Sequence, residues 1–227
     1  MVLIIGDGLL GSNIAKYSNW NYISRKKDNI EFTDLNSYSY YIDNYDTILN
    51  CVAFTDTYSK DKESNWKINY EAVANLVDYC NLKDKKLIHI STDYVYSNSK
   101  SDASEEDVPV HCENWYGYTK LLSDGYIQLR SKNYLLIRTS FKPNPFPYDK
   151  VVSQIGNFDY VDIISKLIIE LINKDAKGIY NVGTEIKSML ELANKTKIVN
   201  QTIDKIHETM PTDITMNCEK INKFLNI

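Results

Sequence analysis

Glycine is one of the scarcer residues in this chain, 8 in 227 against 18 tyrosines. Lys, Asn, Ile and Tyr are over-used instead, which reads as the codon bias of an AT-rich genome and not as function. Cysteine is limited to Cys51, Cys80, Cys112 and Cys218, widely spaced and without a C-x-x-C. That excludes a paired-thiol redox motif or zinc ribbon and points to reduced thiols in a cytoplasmic setting. The three histidines, His89, His111 and His207, show no metal-ligand spacing, so no metal is expected. His89 lies inside an apolar strand and reads as a satisfied core histidine. There is no basic excess: the net charge is −4 and the densest basic run is Arg25-Lys26-Lys27, so nucleic acid is not an expected partner. No apolar run approaches membrane-spanning length, and Met1 runs straight into an apolar strand, so neither a membrane nor a signal peptide is expected. Internal repeats and low-complexity linkers are missing too. What remains is ordinary for a soluble globular chain, 43% hydrophobic and 25% charged. Its length allows one large α/β domain, or one domain with a small appendage.

The most informative stretch is the first sixteen residues, MVLIIGDGLLGSNIAK. Val2 to Ile5 suits a buried parallel strand. Gly6-Asp7-Gly8-Leu9-Leu10-Gly11 is a G-x-G-x-x-G, and Ser12 to Lys16 carries helix formers. Strand, glycine turn and helix is the order of a dinucleotide-binding βα unit. Gly6 can take turn dihedrals closed to other residues. Gly8, without a Cβ, lets backbone approach a pyrophosphate, and Gly11 lets helix pack on strand. The helix start, at Leu9 and Leu10, offers free N–H groups and partial positive charge.

Further along, Asn21-Tyr22-Ile23 reads as a second strand ending at Ser24-Arg25. An acidic residue at such a tip would bind the ribose 2′-OH of NAD, and an arginine would accept the 2′-phosphate of NADP. Ser24 and Arg25 there lean the reading to NADPH over NADH; a solvated basic loop is the alternative. Tyr38 to Tyr45 reads as an amphipathic helix or turn covering the sheet. Thr47 to Ala53 and Lys86 to Ile90 read as strands, and Asn65 to Asn81 is partly at helical spacing. Ser99 to Val110 reads as a surface loop, Tyr116 to Leu129 as a long helix, and Tyr134 to Arg138 as a strand. Pro143, Pro145 and Pro147 mark a boundary. Tyr160 to Asn173 reads as a helix, Gly178 to Val182 as a last strand, and the tail is helical in parts. Strands alternating with helices imply an α/β, doubly wound parallel sheet of Rossmann type. The division expected is 1–141 for the cofactor-binding core and 142–227 for a small C-terminal substrate-side region interleaved with it.

Tyr116-Gly117-Tyr118-Thr119-Lys120 is a second anchor. Tyr116 and Lys120, four apart, share a helix face. A tyrosine of ordinary pKa, about 10, is almost wholly protonated at neutrality. A nearby ammonium favours phenolate and is expected to lower that value. A hydroxyl on the facing strand end, Thr92 or Ser91, could bond the reacting oxygen.

With these pieces in order, the chain resembles the extended short-chain dehydrogenase/reductases, and within them the dTDP-4-dehydrorhamnose reductase family. The resemblance rests on Gly6 to Gly11, Asp34-Leu35, Asn50 to Thr55, Asn69 to Leu76, Ile90-Ser91-Thr92-Asp93-Tyr94-Val95-Tyr96, Tyr116 to Lys120 and Ile137 to Phe141. Later echoes are Tyr160 to Ile163 and Gly178 to Val182. The resemblance implies Tyr116 as general acid, Lys120 on the nicotinamide ribose and Thr92 on the same carbonyl oxygen. It implies Ala53-Phe54-Thr55 and Asn69 beside the cofactor, Asp34-Leu35 near the adenine, and Thr92, Asp93 and Phe141 facing the sugar. The implied reaction is NAD(P)H-dependent reduction of a 4-keto-6-deoxy sugar on a nucleoside diphosphate, dTDP or UDP. A dehydratase or epimerase would be the pathway partner, and a homodimer is left open. Two departures stand out: the glycines are spaced two and three where the family commonly has three and three, and Lys142 to Phe158 replaces a longer substrate-side segment. A non-catalytic NADP-binding regulatory subunit and a nucleotide-sugar epimerase are the alternative readings.

Overall fold

In a computed structural model that describes residues 1–97, 99–109, 112 and 114–227, Val2–Ile5 form β1 at the heart of a parallel sheet. Of the readings above, Val110 at the end of the expected loop and His111 lie outside the described residues. The turn after β1 requires glycine: Gly6 has φ +100°, and a Cβ there would lie 2.8 Å from Val52 Cγ2. Helix α1 (Leu9–Ser18) then crosses back so closely that a Cβ on Gly11 would sit 2.1 Å from the Gly6 carbonyl oxygen.

The chain continues through β2 (Asn21–Ile23), α2 (Arg25–Asp28), α3 (Ser39–Ile42), β3 (Thr47–Asn50) and α4 (Lys62–Trp66). A π-helical turn over Lys67–Glu71 leads into α5 (Ala72–Leu82), followed by β4 (Lys86–Thr92), α6 (Trp115–Arg130) and β5 (Tyr134–Thr139). Next come β6 (Phe141–Lys142), β7 (Val151–Val152), β8 (Ile155–Gly156), β9 (Asp159–Tyr160) and α7 (Val161–Asn173). The chain closes with β10 (Gly178–Val182), β11 (Lys187–Ser188), α8 (Met189–Asn194), β12 (Thr202–Ile203), β13 (Asp213–Ile214) and α9 (Glu219–Leu225).

The central sheet has the order β10-β5-β4-β3-β1-β2, with every neighbouring pair parallel. The order reverses at β1, so a crevice opens at the carboxyl ends of β1 and β3, where doubly wound sheets bind ligands. Alternation along the strands fills both faces. Ile4, Leu49, Ile88, Leu135 and Ile137 pack under α1 and α7, and Leu3, Ile5, Ile48, Leu87 and Leu136 under α5 and α6. A smaller core of Phe146, Phe158, Tyr160, Met189 and Ile214 lies beneath the short strands after Phe141.

Two local readings change on inspection. Arg25 to Lys27 form a helical turn and not a loop, because Ser24 caps it: the Lys27 N–H donates to Ser24 Oγ and the Ser24 N–H to Asp28 Oδ2. The imperfect apolar spacing after Asn65 has a cause, since the π turn shifts the phase between Ile68 and the Val73-Leu76-Val77 stripe. Tyr38 is fully buried and lies flat against Phe32, their ring centres 5.9 Å apart.

The glycine turn gives a paired stability test. Gly11→Ala drives a methyl into backbone and is expected to cost about 3 kcal/mol in urea denaturation. At Gly8 a Cβ meets nothing within 4 Å, so Gly8→Ala stays within about 1 kcal/mol. Equal effects at the two positions would contradict this packing.

Candidate functional site

The site lies where the ends of β1, β3 and β4 meet the first turns of α1 and α6. On the β1 side, Gly8 is the N-cap of α1 and brings no side chain of its own to bond the helix's first N–H groups. The space over Gly8 is open. The turn therefore has both the donors and the room that a pyrophosphate needs, with Leu9 and Leu10 starting the helix beside it.

On the β4 side, Thr92 ends the strand, opposite Thr139 of β5, and is buried. Its hydroxyl donates to Asp93 Oδ1 at 3.1 Å and accepts the Tyr94 N–H at 3.2 Å. The Tyr116 hydroxyl lies beside Thr92, close enough for the Thr92 hydroxyl to favour its phenolate. Helix α6 brings Tyr116 there because Asn114 caps it, accepting the Gly117 N–H at 2.8 Å. The fit at 117 is tight, since a Cβ there would lie 3.1 Å from the Tyr94 carbonyl oxygen.

The expected lowering of the Tyr116 pKa is reversed. Burial of its hydroxyl pushes the phenol up to about 12, and the charges of Asp93 and Asp124 add to this. The Thr92 hydroxyl, which can turn to donate to a phenolate, pulls the other way. Lys120, the neighbour whose helix spacing suggested a lowering, is not among the groups that shift the phenol; the packing around the hydroxyl decides its value. Lys120, one turn on, is almost wholly buried, and its Nζ bonds the Ile90 carbonyl at 2.7 Å and His89 Nε2 at 2.8 Å. Desolvation pulls Lys120 down to about 8 against the opposing effects of Asp124 and Cys51.

Asp93 is 2% exposed, and its Oδ2 has no close hydrogen-bond partner. Burial raises this carboxyl to about 6, while Lys142, Thr92 and Ser140 oppose the rise. Phe141, half-buried in β6 opposite Asp159, packs on the main core nearby.

Other residues nominated from sequence do different work. Asn69 is fully buried, and its amide is spent on the backbone of Phe54: Oδ1 accepts the N–H at 2.8 Å and Nδ2 donates to the carbonyl at 3.1 Å. It holds the strand end Ala53-Phe54-Thr55 in shape. The Ser24 hydroxyl is likewise spent as a helix cap. Arg25 is largely exposed and paired with Glu31 at 2.7 Å. Asp34 caps its own turn, accepting the Asn36 N–H at 3.1 Å. With Leu35 it lines an open cleft against Asn75, Asp78 and Tyr79 of α5.

Sequence reasoning missed several neighbours. Tyr94 stands edge-on to Tyr116, ring centres 6.2 Å apart, and its hydroxyl is 2.7 Å from that of Tyr58. His207, from the segment after β12, stacks on Tyr58 at 4.9 Å. Asp124 and Arg138, both fully buried, pair at 3.0 Å and pin α6 to β5. Arg138 also donates to the Tyr96 hydroxyl at 2.8 Å, and Tyr96 in turn to Asn181 at 2.7 Å. No run of sequence signals these, since each partner comes from a distant element.

Comparison with known proteins agrees with this geometry. The RmlD substrate binding domain profile matches residues 1–142. A dTDP-4-dehydrorhamnose reductase of Mycolicibacterium smegmatis is 30% identical over 117 residues, covering 49% of this chain and 35% of that protein. The alignment thus spans about a third of that relative's length. A hypothetical dTDP-4-dehydrorhamnose reductase from Sulfolobus tokodaii superposes with a TM-score of 0.83 at 25% identity, covering 99% of this chain and 95% of the other. A Bacillus anthracis dTDP-4-dehydrorhamnose reductase, solved in complex with NADP, gives a TM-score of 0.82 at 21% identity over 98% and 91%. The glycine turn, the strand end and the helix that faces it all fall within the matched residues, and the chain belongs to the RmlD substrate binding domain family.

Proposed function

We propose that this chain reduces the 4-keto group of a nucleoside-diphosphate-linked 4-keto-6-deoxy sugar, using NADPH or NADH. The observation that carries the reading is the placement of Thr92, buried at a strand end, beside the Tyr116 hydroxyl, one helical turn from the buried Lys120. When bound, the nicotinamide supplies a hydride; the chain's own groups supply the rest. A phenol raised to about 12 holds its proton throughout the neutral range, which is the form that can give a proton to a carbonyl oxygen. Thr92 bonds the same oxygen and then the phenolate left behind. Lys120 reaches the nicotinamide ribose. Gly6, Gly8 and Gly11 and the start of α1 cradle the pyrophosphate, and Ala53 to Thr55, held by Asn69, line the cofactor. Asp34 and Leu35 take the adenine side. Arg25, paired only at the surface, is free to turn to a 2′-phosphate, which supports the lean to NADPH. Asp93 Oδ2 has an acceptor site left for a sugar hydroxyl, beside Phe141.

In the same reading, residues 1–141 form the cofactor-binding core and 142–227 the substrate side, interleaved with it. A dehydratase or epimerase must make the keto sugar first. A second copy of the chain is the proposed assembly partner, and the spread of thiols fits the cytoplasm.

Consumption of NADPH with a dTDP- or UDP-linked 4-keto-6-deoxy sugar tests this. Tyr116→Phe is expected to lose roughly 100-fold or more in rate with unchanged unfolding. Equal, negligible rates in both proteins would favour a non-catalytic subunit, and C4 inversion without cofactor consumption would favour an epimerase.

The site also has a stability signature. A carboxyl whose folded pKa is raised to about 6 binds its proton more tightly in the folded state, so its favourable contribution is complete below about pH 4 and is lost as pH rises through 6. Asp93→Asn should therefore stabilise the fold at pH 7 by on the order of 2 kcal/mol while reducing turnover. The gain should vanish near pH 4 in urea titrations; a gain independent of pH would contradict the assignment.

A further inference from the structure

Strand β6 is only Phe141 and Lys142, paired in parallel with Asp159 and Tyr160 of β9. Successive side chains of a strand point to opposite faces. Phe141 packs on the main core, and Lys142, partly exposed, lies within electrostatic reach of the Asp93 carboxyl. Burial raises Asp93, and Lys142 leads the groups that oppose the rise; it is the one positive charge among the described residues that acts there. Burial likewise pulls the Lys142 ammonium down, and Asp93 opposes that. Yet the two groups do not touch. Asp93 Oδ2 is buried without a hydrogen-bond partner, and among the described residues no hydrogen bond or ion pair reaches Lys142 Nζ.

A carboxylate only accepts and an ammonium only donates. A group that joins them must donate to one and accept from the other, and a hydroxyl does both. A ligand phosphate or carboxylate would set its charge against Asp93, and a ligand ammonium would set its charge against Lys142. The place of the hydroxyl follows from Thr92, which donates to the other oxygen of the same carboxylate, Oδ1, at 3.1 Å. In the reductase reading Thr92 also bonds the reacting carbonyl oxygen, so Oδ2 lies next to that oxygen. In a 4-keto-6-deoxy pyranose, carbon 4 has two neighbours. Carbon 5 carries a methyl and the ring oxygen; carbon 3 carries a hydroxyl.

We propose that Lys142 is a specificity-determining residue which, with Asp93, grips the 3-hydroxyl of the sugar: Lys142 Nζ donates to its oxygen, and its proton goes to Asp93 Oδ2. The identity of the hydroxyl rests on the reductase reading. A 3-deoxy sugar would leave a carboxylate and an ammonium unpaired out of water, and a site built to bond a hydroxyl rejects the analogue lacking it far more strongly than an apolar pocket does.

Binding tests this without turnover. The full chain loaded with NADP⁺ would be titrated in a calorimeter with 4-keto-6-deoxyglucose and with its 3-deoxy counterpart, each on dTDP and on UDP. Wild type should bind the 3-hydroxy sugar roughly tenfold or more tightly. Lys142→Met should lose most of that preference by weakening the 3-hydroxy sugar alone. Carbon-13 NMR of labelled aspartate supplies a second readout. The groups around Asp93 are Lys142 from β6, the hydroxyls of Thr92 and Ser140, and the phenols of Tyr58, Tyr94 and Tyr116. Removing the one cation should move the Asp93 titration up by about half a pH unit or more. Equal binding of the two sugars by wild type, or binding of neither, would overturn the proposal even if Lys142→Met did not fold. A folded variant that keeps the preference, weakens both sugars alike or leaves Asp93 unmoved would overturn it too. NADPH consumption separates the two readings: discrimination without turnover supports the grip and sinks the reductase, and turnover without discrimination does the reverse.

Discussion

The contact between the Gly11 α-carbon and the Gly6 carbonyl is the constraint on which the rest depends. It brings α1 down onto the end of β1 with no room for a methyl group. The same turn sets Gly6 against Val52, and a Cβ on Gly11 would lie 3.3 Å from Cys51 Cβ. The glycine turn is thus packed directly against the chain leaving β3. From there the line of contact runs through Asn50 to His89 and on to Lys120, so the glycine turn and helix α6 are parts of one rigid arrangement. Asp124 and Arg138 complete it by tying α6 to β5 from below.

That arrangement is built at a thermodynamic cost. Asp93, Lys120, His89, Asp124 and Arg138 all lie out of water, and burying ionisable groups disfavours their charged forms. The shifts run in opposite directions at neighbouring positions: the carboxyl of Asp93 is raised, and the amine of Lys120 is lowered. Both groups are pushed toward neutrality around a phenol that keeps its proton. Groups perturbed in this way mark functional sites more often than structural ones, because a core built for stability alone would use apolar side chains.

How much of this was legible in the chain varies by residue. The order of β1, glycine turn and α1 could be read directly, because each glycine answers a backbone requirement local to it. The doubly wound sheet followed from alternating strands and helices. Spacing put Tyr116 and Lys120 on one helix face and left Thr92 and Ser91 both open, the family resemblance choosing Thr92; it did not give the sign of the Tyr116 shift, which depends on how much protein packs round the hydroxyl. His89 read as a satisfied core histidine, and its two nitrogens do have partners; that one of them is Lys120 needs the pairing of β3 with β4 and the placement of α6. Asn69 looked like a cofactor contact because of its motif, whereas its amide serves the backbone of Phe54, fifteen positions earlier. The short strands after Phe141 carry too few residues for periodicity to register, and the stacking of His207 on Tyr58 joins segments far apart in sequence.

The central claim is that these groups deliver a proton to a sugar carbonyl as a hydride arrives from a nicotinamide. The most direct measurement follows the hydride itself. The protein would be incubated with the 4-keto sugar nucleotide and NADPH carrying deuterium at the transferable position of C4, and the product examined by NMR. The account predicts deuterium on carbon 4 of the sugar and a hydroxyl in place of the keto group. Product without deuterium at that carbon, or cofactor bound and unchanged with the keto sugar intact, would contradict it.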